Sequence, residues 1–320
     1  MQRRKIEYYD FDLDKTPAEK WGKIIDDNID VIPNAMLSIH KLLDQYGMAQ
    51  DVIQLLYSMT NNRDVYYLDE ITYLSSRLGL EIHQLLILQL VYESASACTT
   101  NILAVNNKKL FLRTMDWDLP VLKDITVGIN LIKNGQIISK AITWIGYIGL
   151  LTATNLTHDF TISVNYRRTT DVNILHVLNN VRKVMNRIWP IGYFIRYLME
   201  LNLGKNIVLD MLKNTEFVSP CYLTIFSRIG SVILTRDADK CISERYDNLY
   251  QTNCDFGTTT PDILYSVKRN ELIKTVNKKI SDEKIISAKK ILKLLLKNPI
   301  INEQTIYVYC IVGNKIRCFV

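Results

Sequence analysis

The spacing of apolar positions changes near residue 98, from a helical repeat to a strand repeat. In the first third, Thr16-Pro17-Ala18-Glu19 forms a capping box with Pro at the first helical position. A helix starts there and carries Trp21, Ile24, Ile25 and Ile29 on one face. Pro33 opens a second helix through Met36, Ile39, Leu42 and Leu43. A third is predicted over residues 69–78, with Gly79 as its C-terminal cap. The stretch HQLLILQLVY, from His83, is apolar nearly all round, the pattern of a buried helix.

Beyond Ala97 the alternation has period two. Residues 101–105 and 110–114 read as two strands joined by Asn106-Asn107-Lys108. ITVGINLIK and QIISKAITW flank Asn134-Gly135, the signature of a type I′ hairpin. Further strands are predicted over 147–152, 160–164, 222–226 and 231–235, and helices over 173–201 (broken at Pro190), 205–212, 267–276 and 288–297. The chain closes on the hairpin TIYVYCIV–GN–KIRCFV. Helices, antiparallel strands, helices and strands in that order predict an α+β fold with helix-covered sheets.

Composition narrows the function classes. A hydrophobic content of 48% over 320 residues supports a large core, while only 12 Gly leave little scope for a Gly-rich phosphate loop. GxSxG, GxxxxGK[ST] and HExxH are absent, and His40, His83, His158 and His176 are isolated. The cysteines, at 98, 221, 241, 254, 310 and 318, show no CxxC spacing, which argues against a zinc ribbon or thioredoxin site. The net charge of +6 fits a Lys-rich surface or a peripheral contact with an anionic membrane. The basic residues are too scattered for a nucleic-acid interface. The N-terminal stretch has no apolar run after its basic residues, and residues 141–153 fall short of the ~18 needed to span a bilayer. The expectation is a chain without signal peptide or transmembrane helix, cytoplasmic by default and lysosomal if a signal has been removed.

Cys98 stands where the buried helix gives way to a strand, in YESASACTTNILAV. Alone it reads as a packing thiol. If the strands on either side of residues 106–108 pair, however, Arg113 and Asp116 return to it. A cation lowers a thiol pKa and a carboxylate holds an ammonium group. The competing reading of Arg113 and Asp116 is an ion pair that stabilises a turn.

YESASACTTNILAV together with LFLRTMDWDL resembles the nucleophile region of acid ceramidase and N-acylethanolamine acid amidase. These are self-processing N-terminal-nucleophile hydrolases related to the choloylglycine (bile-salt) hydrolases. DITVGINLIKNGQI, WIGYIGLLT, VILTRD and YQTNCD resemble further segments of that family in the same order, and KNGQI leans toward the ethanolamine amidase. The resemblance implies Cys98 as nucleophile, Arg113 beside it, Asp116 on the new α-amine, and Asn253 with Asn165 of SVNYRR in the oxyanion hole. It also brings Lys268-Arg269 to the position of an Arg-Arg pair, with Arg269 as the site residue. The sequence departs from the family in that Lys, in a missing Gly-Gly before VILTRD, and in a segment between Cys98 and Arg113 that is one residue short.

The implied architecture is an αββα sandwich of antiparallel sheets, with a helical segment 1–97 and a catalytic segment 98–320 separated by self-cleavage between Ala97 and Cys98. The two segments form an α/β heterodimer without a disulfide, because residues 1–97 contain no Cys. The implied chemistry is hydrolysis of an N-acyl lipid amide, N-acylethanolamine ahead of ceramide, with no metal or cofactor. Trp144, Tyr147, Trp189, Tyr193 and Phe194 are candidate apolar lining for the acyl chain, although residues 188–195 also read as a core helix. The departures leave room for a non-catalytic relative that binds acyl lipid or a partner, and bile-salt or penicillin-type amide hydrolysis is a further alternative.

Overall fold

The computed structural model describes residues 4–44, 51, 54, 57–58, 65–90, 97–105, 108–169, 174–259, 262–282 and 287–320. Two sheets, antiparallel but for one parallel pair in the larger, are stacked and helices cover both outer faces, the αββα arrangement expected. The five-stranded sheet contains β2 (Ala97–Val105), β3 (Lys108–Asp116), β11 (Tyr250–Gln251), β12 (Thr305–Val312) and β13 (Lys315–Phe319), ordered β11-β2-β3-β12-β13. The eight-stranded sheet contains β1 (Tyr8–Asp12), β4 (Thr126–Lys133), β5 (Gln136–Trp144), β6 (Thr152–Asn155), β7 (Phe160–Tyr166), β8 (Cys221–Ser227), β9 (Val232–Arg236) and β10 (Cys241–Arg245), side by side in that order. Hydroxyls meet between the sheets: Tyr307 with Thr152 at 3.0 Å and Tyr309 with Thr154 at 2.7 Å. Such pairing offsets the cost of burying polar groups between the sheets.

The N-terminal segment follows the helical repeat, with two corrections. The helices are α1 (Pro17–Asp26), α2 (Ile32–Asp44), α3 (Leu68–Leu78) and α4 (Ile82–Leu90). The Thr16–Glu19 capping box is formed and Gly79 caps α3 at φ +66°. The helix α1 ends at Asp26, so Ile29 falls outside its apolar face and is exposed. The segment is also not purely helical, because β1 lies parallel to β4 at the edge of the larger sheet. Its alternation, with Tyr9 and Phe11 buried, is too short to stand out beside the helices. Residues 91 and 92 of the HQLLILQLVY stretch lie outside the described residues.

After β3 the hairpin β4–β5 turns at Asn134-Gly135, both with positive φ, as the I′ signature requires. The strand predicted over 147–152 is instead a loop that leads into β6. Gly146 turns it at φ +88°, and a Cβ on Gly149 would come within 2.9 Å of the Gly192 backbone. Then follow α5 (Ile174–Met185), α6 (Ile191–Leu201) and α7 (Lys205–Asn214). The last helices, α8 (Ser266–Asp282) and α9 (Ala288–Leu295), cover the five-stranded sheet through Ile273, Val276, Ile291 and Leu295. No helix of the described residues is long and apolar enough to cross a membrane.

Candidate active site

Strand register decides which side chains meet at Cys98. In β2 and β3, Cys98 lies opposite Met115, Ala97 opposite Asp116 and Thr100 opposite Arg113. Side chains alternate between faces. Arg113 and Asp116 are three residues apart, so they fall on opposite faces of the sheet.

On the face toward the larger sheet, Arg113 Nη2 reaches Cys98 Sγ at 3.2 Å, and its Nη1 donates to Asn165 Oδ1 at 2.9 Å. Thr100 Oγ1 donates to the same Asn165 oxygen at 3.0 Å. Asn165, on β7, returns its amide hydrogens to the Gln251 and Thr252 carbonyls at 3.0 and 3.3 Å.

On the opposite face, toward α8, Arg269 Nη1 donates to the Cys98 carbonyl at 2.8 Å and to Thr99 Oγ1 at 2.9 Å, and lies 3.5 Å from Asp116 Oδ2. Asp116 also accepts from Thr305 Oγ1 at 2.6 Å and Thr114 Oγ1 at 3.3 Å. Burial raises the Asp116 carboxyl above its ordinary range, against the pull of Arg269 and the two hydroxyls. Asn253 completes the site from the loop after β11. Its Oδ1 accepts the Cys98 backbone N–H at 2.7 Å and Arg269 Nη2 at 3.1 Å, while its amide donates to the Tyr166 carbonyl at 2.8 Å. All six residues, Cys98, Arg113, Asp116, Asn165, Asn253 and Arg269, are buried.

The structure thus assembles every polar residue that the sequence selected, with two changes of place. Asn253 holds the nitrogen of the Ala97–Cys98 peptide, whereas Asp116 meets Arg269. The amide hydrogens of Asn253 and Asn165 go to backbone carbonyls, which is not the arrangement of an oxyanion hole. The Lys268-Arg269 departure is also located. Lys268 is exposed beside the Tyr265 ring, and Arg269 makes all the site contacts. Thr305 and Ser266 escaped the sequence reading. Ser266 Oγ accepts from Arg269 Nη2 at 3.0 Å, one turn earlier on the same helix, a spacing common enough to carry no signal.

The apolar candidates separate into groups. Trp144 and Tyr147 line an apolar cleft together with Trp117, which follows Asp116. Its other wall comes from the N-terminal segment, including Met36, Ile39 and Leu85. Gln89 of α4 fixes the loop between these walls, donating to the Gly146 carbonyl at 2.9 Å and accepting from Ile148 N at 2.8 Å. Tyr193 faces a different cavity, beside Leu86 and Val181. Trp189 and Phe194 are not at the cleft either. They pack with Tyr66, Tyr197 and Phe217; Phe194 lies on the core helix that the pattern also allowed, whereas half-buried Trp189 precedes it and bridges to Phe217.

No family model matches the chain. It is 41% identical over 311 residues to an uncharacterized protein of Acanthamoeba polyphaga mimivirus, with 96% of each chain covered. It is 23% identical over 252 residues to N-acylethanolamine-hydrolyzing acid amidase of Caenorhabditis elegans, covering 73% of this chain and 68% of that one. Acid ceramidase of Homo sapiens is 19% identical over 333 residues, covering 95% and 83%. Among solved structures, the C. elegans N-acylethanolamine-hydrolyzing acid amidase ortholog matches with a TM-score of 0.55 at 20% identity, over 68% of this chain and 94% of that one.

Proposed function

Since the chain belongs to the family of N-acylethanolamine-hydrolyzing acid amidase and acid ceramidase, we propose that it is a self-processing cysteine amidase that hydrolyses N-acyl lipids. The observation that carries this reading is the set of contacts around one residue, Cys98. Cys98 Sγ meets a guanidinium, the Cys98 nitrogen is held by Asn253 Oδ1, and the Cys98 carbonyl is held by Arg269.

In self-cleavage the Cys98 thiolate attacks the Ala97 carbonyl carbon. The C–N bond breaks, the Cys98 nitrogen takes up a proton, and water hydrolyses the resulting thioester. The α-amine so released keeps Asn253 Oδ1 as its acceptor and, with a pKa near ~7.7, serves as the base for its own thiol. In turnover the same sulfur attacks the lipid amide, the amine departs with a proton, and water releases the fatty acid from Cys98. Asp116 acts through Arg269, holding the guanidinium that grips the backbone of the nucleophile. The order of acyl amide head groups, N-acylethanolamine before ceramide, rests on the KNGQI resemblance and on the apolar cleft beside Trp117 as the place for one acyl chain.

Two tests follow. For acyl chains of increasing length on both head groups, kcat/KM is expected to rise with each methylene by up to roughly fourfold, the equivalent of ~0.8 kcal/mol, until the cleft is filled. A flat response would remove the acyl-cleft argument, and a preference for ceramide would reverse the head-group order. Asn253→Ala is expected to lower both self-cleavage and kcat by ~100-fold, the scale of loss when a reacting group is misplaced by about 1 Å, because it removes the acceptor that holds the Cys98 nitrogen. Normal cleavage in that variant, with a melting temperature near wild type, would return Asn253 to a packing role.

A further inference from the structure

Asn165 and Asn253 belong to different sheets, and something must hold those sheets in register at the site. Arg167 and Asp255 lie two residues beyond each Asn and meet through a bidentate fork, Nε to Oδ1 at 2.7 Å and Nη2 to Oδ2 at 2.9 Å. The remaining Arg167 nitrogen, Nη1, donates to Asp237 Oδ1 at 2.6 Å. Tyr222 of β8 donates to Asp255 Oδ1 at 2.7 Å. One guanidinium therefore joins the ends of SVNYRR, VILTRD and YQTNCD, three stretches far apart in the sequence.

We infer that Arg167, with Asp255, is a positioning residue of the active site that fixes the Asn253 loop so that Asn253 Oδ1 meets the Cys98 nitrogen. The route is short and continuous. Asn253 donates to the Tyr166 carbonyl, adjacent to Arg167, and Asn165 donates to the Gln251 and Thr252 carbonyls on the same loop. Side chains and backbone thus cross between the sheets in both directions, and the Arg167–Asp255 fork closes the ring at its outer end. The Arg167 side chain is 11% exposed and that of Asp255 42%. A single contact at such a half-open place contributes little to global stability. Its geometry nevertheless matters to the loop, because a planar fork fixes direction where a Lys ammonium fixes only distance.

The catalytic consequence rests on the amidase reading, so the decisive measurement is made without turnover. In a Cys98→Ala background, which keeps the chain intact, hydrogen exchange of the backbone N–H at position 98 reports on its bond to Asn253. Arg167→Lys is expected to speed that exchange at least tenfold, and Asp255→Asn to do the same. The control is Arg228→Lys, which removes a similar fork to Asp159 and Asn314 near the opposite end of β7 and should leave position 98 unchanged. Unchanged exchange in both test variants, or equal acceleration in the control, overturns the inference. In chains that retain Cys98, each clamp variant is expected to lower kcat about 10- to 100-fold with KM nearly constant. The double variant should lose no more than the weaker single variant, because both remove the same ring. Losses that multiply would overturn a shared positioning role. If wild type neither cleaves nor turns over an acyl amide, the amidase reading fails, while the exchange measurement still decides whether the clamp exists.

Discussion

Cys98→Ala is expected to run as a single chain of 37.1 kDa at acid and neutral pH, where the wild-type chain separates into fragments of roughly 11 and 26 kDa by residue fraction. The substitution removes the attacking sulfur and leaves Arg113, Asn253 and Arg269 in place, so it isolates chemistry from assembly. Loss of a nucleophile lowers turnover on the order of a millionfold where this has been measured, because the remaining groups only bind and polarise. Folding should be affected far less, since the change empties little more than the volume of one sulfur beside Met115. Intact-mass measurement gives the first answer, and a fluorogenic fatty-acyl amide assay the second. Wild-type-like processing of Cys98→Ala would end the case for Cys98 as nucleophile.

The second large effect is expected where the two segments meet. None of the six cysteines forms a disulfide, and none lies before Cys98, so after the proposed cleavage noncovalent contacts would hold the fragments together. One such contact is the β1–β4 pairing. Another is Glu70, buried on α3, which receives Arg196 of α6 through two bonds of 2.6 and 2.8 Å, Lys20 at 2.5 Å and the Trp21 indole at 2.7 Å. Burial alone would raise the Glu70 carboxyl, but the Arg196 guanidinium and Lys20 ammonium overcome it and hold the pKa down to about 2. Glu70→Gln leaves Arg196 buried with only Glu200 as an ionic partner, at 2.7 Å. Breaking a buried pair in this way costs about 3–5 kcal/mol.

The pH dependence follows from the depressed pKa. The Glu70 contribution is complete above its unfolded pKa of ~4.3 and disappears as pH falls toward 2. The melting temperature of Glu70→Gln should therefore lie well below wild type from pH 7 to about 5, with the gap closing below about pH 4. Size-exclusion of the cleaved protein at pH 5 should still show the two fragments together. A constant gap down to pH 2.5, or no gap at pH 7, would remove this ion cluster from the account of how the segments hold together.

Much of the fold was legible because local signals were strong. The capping box at Thr16, the Gly79 cap and the Asn134-Gly135 turn act within a few residues, and each formed as read. The errors came where local pattern and tertiary context diverge. Residues 147–152 have strand-like composition, but Gly146 and the contact of Gly149 with Gly192 bend them into a loop. Trp189 and Phe194 are aromatic and near the right segment, yet they pack among Tyr66, Tyr197 and Phe217 instead of at the cleft.

The site divides in the same way. By itself the sequence placed Cys98 at a helix-to-strand junction and Arg113 on the next predicted strand, because residue alternation and a short connection are local signals. It also determined which residues, from Asp116 to Arg269, belong together, through their resemblance to a known family. Only the tertiary structure decided what each one touches. The sheet pleat put Arg113 on the sulfur and Asp116 on the opposite face, where it reaches the nucleophile's backbone through Arg269. The pairing of β11 with β2 brought Asn253 to the Cys98 nitrogen, and the stacking of one sheet on the other closed the Arg167–Asp255 ring. The contacts of Asn253, Arg269 and the Arg167–Asp255 pair join residues more than fifty positions apart, and no local repeat encodes such a distance.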